Sequence, residues 1–534
     1  MLESDQQDKL SRQPGPAGDR DPGGDDKPRR DGAALSAGQC RNRQSAVDSQ
    51  PRGWVIKLLR IRYVIAAMLL TGCSLAPDHV RPAMPVPDAW ASPDHGVADA
   101  TRPALWRQFF LAPTLEALIG EALDNNRDLR ITIQRVEVAR SQYRIQRADL
   151  FPQMNVGAGV LRQRMPASLS LTGEAATSNE LVALGSASWE LDLWGRVHNL
   201  SEAALESWLA TDEARRAVTL SLIADVANTW LDGRELDERI ALADRTIDSR
   251  RESARIARRR YEVGAAPRLD MTQADTLLGQ AESALITLEQ QREQTRNALA
   301  VLVGAPVETE VAALSSVEDT VVHDLPPGLP SDLLVNRPDI RGAEDRLRAT
   351  EANIGAARAA FFPRIALTAG YGTASSALDN LFMAGNSAWS FAGGAMAPVF
   401  DGGSRAGNLA EAKAQRAIAV ADYERTVQTA FRNVADALAA RRWLGQQVQA
   451  QRRTLAALSE RARLSDLRYV NGASTYLEVL DAQRDLFAAE QALVETRRSR
   501  LSSEVNLYTA LGGGRDDSSG ATAVAIQETN GQIQ

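Results

Sequence analysis

Residues 125–152 read NNRDLRITIQRVEVARSQYRIQRADLFP, and residues 336–363 read NRPDIRGAEDRLRATEANIGAARAAFFP. At a constant offset of 211, Asp128, Leu129, Arg130, Phe151 and Pro152 fall on Asp339, Ile340, Arg341, Phe362 and Pro363. Further along, Arg260-Tyr261 and Gly264 match Arg468-Tyr469 and Gly472 at an offset of 208. Leu269, Leu278, Ala281, Glu282, Ala284 and Leu285 then land on Leu477, Leu486, Ala489, Glu490, Ala492 and Leu493. Repetition at near-constant spacing marks one structural unit written twice.

Each unit has the same order of elements. A helix of about 27 residues, starting at Asn125 or Asn336, leads to Phe-Pro, where proline stops it. Two strands follow. Met154, Val156, Ala158 and Val160 alternate with Asn155, Gly157 and Gly159, and Ala187, Trp189, Leu191 and Leu193 alternate with Ser186, Ser188, Glu190 and Asp192. In the second unit Ile365, Leu367, Ala369 and Tyr371 alternate with Ala366, Thr368 and Gly370, and a strand from Trp389 to Pro398 completes the pair. One apolar face and one polar or small face over about ten residues is the pattern of a transmembrane barrel strand. Leu200–Tyr261 and Gly407–Tyr469 then contain no proline, and about 62 helical residues span roughly 90 Å. Glycine-bearing turns, 263–267 and 471–474, reverse the chain into helices from Leu269 to Leu302 and from Leu477 to Leu511. Leu278/Leu285 and Leu486/Leu493 repeat every seven residues with alanines between them, which builds a close-packed coiled-coil seam.

The N-terminus carries an address. Residues 1–52 are polar, charged and glycine-rich, and read as a disordered or misassigned extension. Lys57, Arg60 and Arg62, an apolar run from Tyr63 to Leu70, and Leu70-Thr71-Gly72-Cys73 have the order of a signal peptide over 53–72. The expected organisation continues with an anchored N-terminal segment (73–112), a first repeat (113–304), a linker (305–325), a second repeat (326–513) and a tail (514–534).

The chain has 534 residues and a formal charge of -7, which gives no polybasic surface for nucleic acid. The two cysteines, Cys40 and Cys73, and four scattered histidines offer neither a disulfide framework nor a metal-ligand cluster. Phosphate-loop and nucleophile-elbow patterns are missing as well, so no catalysis, cofactor or metal is expected. No apolar run reaches the 18 or so residues of a spanning helix. A membrane would have to be crossed by strands. Four strands cannot close a barrel, and open edges are not tolerated in lipid. Three chains would supply twelve strands and a tube of twelve helices, so the expected fold is a trimeric twelve-stranded transmembrane β-barrel continuous with a long twelve-helix α-barrel.

Leu-Thr-Gly-Cys resembles the lipobox of bacterial lipoproteins, which implies cleavage before Cys73 and acylation of its sulfur. Together with the duplicated strand–helix plan, the Arg-Tyr-x-x-Gly turns, and Ala76-Pro77-Asp78-His79-Val80-Arg81-Pro82 followed by Trp106 and Phe109, it resembles the TolC-like outer membrane factors, NodT/OprM-like lipoprotein branch. The resemblance covers residues 70–513. It implies a homotrimer in the outer membrane and its lipid, with an equatorial region built from residues near 76–112, 304–335 and the tail. It also implies a periplasmic adaptor and an inner-membrane transporter as partners of a passive exit duct for a tripartite efflux pump.

By the same resemblance the helical turns form the periplasmic entrance, with Gly264, Ala265, Gly472, Ala473 and Ser474 contacting the adaptor. Tyr469 would bond or pack near Asp270 to hold the tip closed. Relatives often carry arginine where Ser474 stands, and Arg268 is near enough in sequence to substitute. Glu478 and Asp481, three residues apart on one helix face, would place six carboxylates around the entrance and favour cations. A type I secretion duct shares this fold, and a periplasmic coiled-coil adaptor or scaffold lipoprotein is the competing class. Adaptors lack the full duplication and the membrane-length strand pairs.

Overall fold

The computed structural model describes residues 74–87, 89–90, 105–170, 173–307, 325 and 330–514. The 1–52 extension, the signal segment, the lipidation candidate Cys73, nearly all of the linker and the tail beyond Gly514 lie outside the described residues.

The first half runs α1 (Pro113–Asn125), α2 (Arg127–Ala148), β1 (Gln153–Met165), β2 (Ala176–Leu191), α3 (Arg196–Glu262) and α4 (Arg268–Val303). The second runs α5 (Pro338–Ala359), β3 (Arg364–Ser375), β4 (Ser387–Met396), α6 (Ser404–Val470) and α7 (Tyr476–Ala510). Helices α3 and α6 both have 67 residues, which at 1.5 Å per residue is roughly 100 Å. Asp192 and Asp401 start them. The Asp192 carboxylate accepts the His198 N–H at 2.6 Å, and Asp401 accepts the N–H groups of Gly403 at 3.0 Å and Arg405 at 3.1 Å. These caps satisfy donors that a helix start leaves open.

The helices expected to begin at Asn125 and Asn336 are interrupted by one extended residue each, Asn126 and Arg337, so that α2 and α5 have 22 residues apiece. Both interrupting residues tie two helix ends together. The Asn126 side chain accepts from Leu129 N at 2.9 Å, capping α2, and donates to the Leu302 carbonyl of α4 at 2.8 Å. At the equivalent place Arg337 donates to the Ala510 carbonyl of α7 at 2.7 Å and forks onto Asp339, while Pro338 opens α5. The chain leaves each of these helices through a left-handed glycine, Gly304 (φ 76°) and Gly512 (φ 94°). A Cβ there would lie 2.6 Å from the Asn125 carbonyl oxygen and 2.7 Å from that of Asn336, so only glycine fits. The duplication thus extends to the joints.

Helix α3 packs against α2 and α5 near the strands and against α4 and α7 farther away, and α6 packs against α5 and then α7. The main hydrophobic core surrounds the joints. Phe109, Ile119, Val226, Val303, Ile340, Tyr423, Val505 and Leu507 are fully buried there, and each large side chain removed from water contributes about 1.5–3 kcal/mol. Segments expected to be equatorial, near 109, 303–307 and 325, join this core. Residues 74–81 lie along α5: His79 faces Glu351 at 2.8 Å and Glu344 at 3.3 Å, and Arg81 reaches Glu344 at 2.8 Å. Between α3 and α5, burial pushes the Glu206 carboxyl up to about 7, with Asp345 adding to the effect. Burial raises Asp345 itself to about 6.

The strands form one antiparallel sheet in the order β1-β2-β3-β4, with an unbroken register across all three pairs. Each strand reaches farther toward the hairpin loops than the apolar alternation alone indicates, and β4, expected from Trp389 to Pro398, runs from Ser387 and stops at Met396. Cross-strand partners share a face. One face therefore gathers Met154, Val156 and Val160 with Leu181, Ala187 and Trp189, then Leu367 and Tyr371, then Trp389 and Phe391. The other carries Asn155, Gly157, Ser186, Glu190, Thr368, Gly370 and Ser390. Val156 is 93% exposed and Trp389 76%, so nothing among the described residues covers the apolar face. Both edges, β1 and β4, are unpaired among the described residues.

Candidate functional site

The two turns farthest from the sheet are built alike. Gly264 (φ 75°) and Gly472 (φ 73°) end α3 and α6 in the left-handed conformation. Gly264 N donates to Tyr261 O at 2.9 Å and Ala265 N to Arg260 O at 2.7 Å; Gly472 N donates to Tyr469 O at 3.0 Å and Ala473 N to Arg468 O at 2.8 Å. This is the Schellman arrangement, and it explains Arg-Tyr-x-x-Gly-Ala. The Arg and Tyr carbonyls receive the turn's bonds and glycine supplies the positive φ.

Side chains at these turns join the α3/α4 hairpin to the α6/α7 hairpin. Arg260 of α3 donates through Nη1 to the Tyr469 hydroxyl of α6 at 2.7 Å, and its guanidinium lies 5.0 Å from the ring centre. Tyr469 also meets Tyr476 of α7, with ring centres 5.0 Å apart. Tyr476 is buried in a cluster of Ala254, Ala257, Ala274, Leu277, Val479 and Leu480, where burial pushes its hydroxyl pKa up. Small residues on α3 and α4 leave the room that this ring fills. Two turns above, the buried Arg250 donates to the Leu277 carbonyl at 2.8 Å and stands 5.2 Å from the Phe487 ring centre.

The carboxylates expected at the entrance are present and matched with arginines. Glu478 pairs with Arg468 at 3.0 Å, and Asp481 with Arg484 at 3.2 Å. Asp485, one turn on, bonds to Arg461 at 2.8 Å, which holds its carboxyl below the usual range. The charge at this face is therefore tempered by three arginines that the acid spacing alone did not reveal. Asp270 sits in the first turn of α4, a favourable place for a negative charge. Within the chain it makes no hydrogen bond to Tyr469, whose partner is Arg260. Neither Asp270 nor Arg268 forms an ion pair among the described residues. Ser474 lies at the turn with its hydroxyl buried and without a partner.

Arg260, Arg468 and Tyr476 belong to this site and were not singled out from the sequence. The duplicated Arg-Tyr pair was the available signal for the first two.

The Outer membrane efflux protein family matches residues 118–305 and 329–513. Among curated relatives, the probable efflux pump outer membrane protein TtgC of Pseudomonas putida is 43% identical over 456 residues, covering 84% of this chain and 94% of the relative. The outer membrane protein OprJ of Pseudomonas aeruginosa is 42% identical over 460 residues, covering 85% and 95%. Among solved structures, the open-state MtrE outer membrane channel of Neisseria gonorrhoeae superposes with a TM-score of 0.76 at 37% identity, over 83% of this chain and 98% of that one. A membrane protein of Pseudomonas aeruginosa superposes at 0.78 with 40% identity, over 82% and 100%. With both halves matched and relatives covered nearly end to end, the chain belongs to the outer membrane efflux protein family.

Proposed function

We propose that this protein is the outer-membrane exit duct of a tripartite efflux pump, a homotrimer that conducts solutes passively from periplasm to exterior. The observation that carries this reading is the sheet: four strands, an uncovered apolar face and two unpaired edges. Unsatisfied strand edges each cost several kcal/mol per backbone group in hydrocarbon. Copies that pair β4 of one chain with β1 of the next remove both edges, and three copies make a twelve-stranded barrel within the range such barrels occupy. No described helix is long and apolar enough to cross a membrane, so the helices continue outside the bilayer as a twelve-helix tube.

The Arg260–Tyr469 bond and the Tyr476 cluster hold each α6/α7 hairpin against its α3/α4 neighbour at the tip, in the manner of an iris gate. Asp270 and Arg268, left without ion partners in the single chain, are available to pair across chains and take the place of the latch that Ser474 cannot form. Glu478 and Asp481, repeated threefold, bias the entrance toward cations, an effect weakened by their arginines. Gly264, Ala265, Gly472, Ala473 and Ser474 present the surface for a periplasmic adaptor, which links the duct to an inner-membrane transporter. An acyl chain on Cys73 would anchor the N-terminal segment that runs along α5.

The test is the native mass, in detergent, of protein extracted from the outer-membrane fraction, with the lipid mass on Cys73 resolved. A lipidated trimer is expected. A monomer confined to the periplasmic or inner-membrane fraction overturns the duct.

A further inference from the structure

The strand register places charge on the apolar face at one defined level. On β1 the residues of that face are Met154, Val156, Ala158 and Val160, followed by Arg162 and Arg164. Their partners on β2 are Ala187, Gly185, Ala183 and Leu181, followed by Asn179 and Thr177. The register is unbroken from Gln153 to Met165, so no bulge turns the arginines to the other side. On β3 and β4 the same face passes from Tyr371 and Trp389 to Thr373 and Ser387. An uncharged band thus ends in a polar collar, and the collar's only formal charges are these two arginines.

The collar lies at the hairpin-loop end of the sheet, opposite the helices. In the barrel proposed above, on which this inference rests, that end faces the exterior and the apolar face meets lipid. Val160 and Arg162 are successive positions on that face, about 7 Å apart along the strand, and Arg164 lies about 7 Å farther on. Both arginines are exposed, and neither has a hydrogen-bond or ion-pair partner among the described residues. The nearest strand carboxylate, Glu180, pairs with Leu161 and belongs to the other face. An arginine on a lipid-facing strand is costly at mid-bilayer and nearly neutral at the interface. The position therefore permits these charges, and the missing counter-ions leave two guanidinium forks directed into the headgroup layer. A guanidinium matches phosphate oxygens in a bidentate manner. Asn179 and Thr177 beside them add donors for sugar or phosphate oxygens.

We infer that Arg162 and Arg164, with Asn179 and Thr177, form a docking surface for the phosphate groups of an outer-leaflet glycolipid, three times per barrel. The surface fixes the height of the barrel in the membrane and orders the first shell of anionic lipid around the duct.

The test uses the full-length trimer reconstituted in vesicles doped with bisphosphorylated lipid A, and counts glycolipid retained per trimer by native mass spectrometry. The Arg162→Ala/Arg164→Ala trimer is expected to bind roughly thirtyfold more weakly, the factor two surface arginines supply toward anionic lipid. The Arg162→Lys/Arg164→Lys trimer retains most of the binding, and dephosphorylated glycolipid binds no better to wild type than to the alanine variant. Equal retention of the bisphosphorylated lipid by wild-type and alanine trimers, or wild-type retention of the dephosphorylated glycolipid equal to that of the bisphosphorylated one, overturns the site while leaving the barrel intact. A wild-type chain that forms no trimer in the same vesicles overturns the barrel itself, and this surface with it.

Discussion

Tyr469→Phe isolates the contact that joins the two hairpins at the tip. The substitution removes the hydroxyl that accepts from Arg260 at 2.7 Å and keeps the ring that packs 5.0 Å from Tyr476. A hydrogen bond to a charged donor contributes about 1.5–3 kcal/mol when well shielded. Tyr469 is half-buried, so competition from water brings the expected loss to about 1 kcal/mol per chain. Opening the threefold gate proposed above would break three such bonds. The combined loss of about 3 kcal/mol raises the open-to-closed ratio on the order of 100-fold. Single-channel recording in planar bilayers reads this as the open fraction at fixed voltage. Arg468→Gln is the matched control, because its bond to Glu478 at 3.0 Å stays within the α6/α7 hairpin and holds nothing across the seam. A Tyr469→Phe trimer with the wild-type open fraction would falsify the seam argument, as would an Arg468→Gln channel that opens equally.

Gly304→Ala and Gly512→Ala each force a side chain into left-handed backbone and onto a carbonyl oxygen at under 3 Å. A loss of about 2 kcal/mol or more per chain is expected, seen as a lower dissociation temperature of the trimer, whereas Gly120→Ala, inside helix α1 and meeting nothing, should cost nothing and gain up to about 1 kcal/mol. Asp481→Ala is expected to lower cation selectivity and divalent-cation block in bilayers; unchanged reversal potentials would remove the entrance charge from the mechanism. Glu206 holds its proton to about pH 7 when folded, but ionises near 4.5 when unfolded. The native state binds more protons through that window, so stability falls as pH rises from about 4.5 to 7, on the order of 1 kcal/mol per pH unit. Asp345, raised to about 6 by burial, adds a slope of the same sign below that pH. Thermal melts of Glu206→Gln should therefore lose the slope between about pH 6 and 7 and exceed wild type at pH 8, and a melt that keeps the slope there would assign it to another group.

Much of this was legible because the chain repeats itself. The paired strands, the two long helices and the glycine turns occur at matching offsets, and each occurrence supports the other. Two kinds of feature were harder to read. The breaks at Asn126 and Arg337 interrupt a good helical pattern, and their reason lies in the carbonyls of Leu302 and Ala510, more than 170 residues away in sequence. Asn126 is a strong capping residue and Pro338 a strong first-turn residue, so local signals existed; helix-favouring neighbours masked them. The strands run on past Val160 because Arg162 and Arg164 stand beyond the apolar band, where the alternation of apolar residues no longer reports the backbone. At the tip the candidate carboxylates were visible as a spacing. Of their arginines, Arg484 stands three residues from Asp481 on the same helix and was legible as a spacing, whereas Arg468 was not, because it reaches Glu478 from the other arm of the hairpin. Tyr469 was recognised without its donor for the same reason, since Arg260 reaches it from the other repeat.

The joints also divide the wall mechanically. The α2/α4 and α5/α7 stacks are each cut once, at the level of the main core, while α3 and α6 run through uncut. Below that level the short helices can tilt as whole rods about Asn126 and Arg337 without breaking a rung of their own hydrogen bonds, and only the through-going helices must flex. From Asn228 to Glu262 the free arm is roughly 50 Å long, so a tip displacement of about 10 Å asks for a radius of curvature of roughly 125 Å, gentler than long helices commonly adopt. In the proposed duct, movement at the tip would then be elastic and local, and the barrel strands would feel almost none of it.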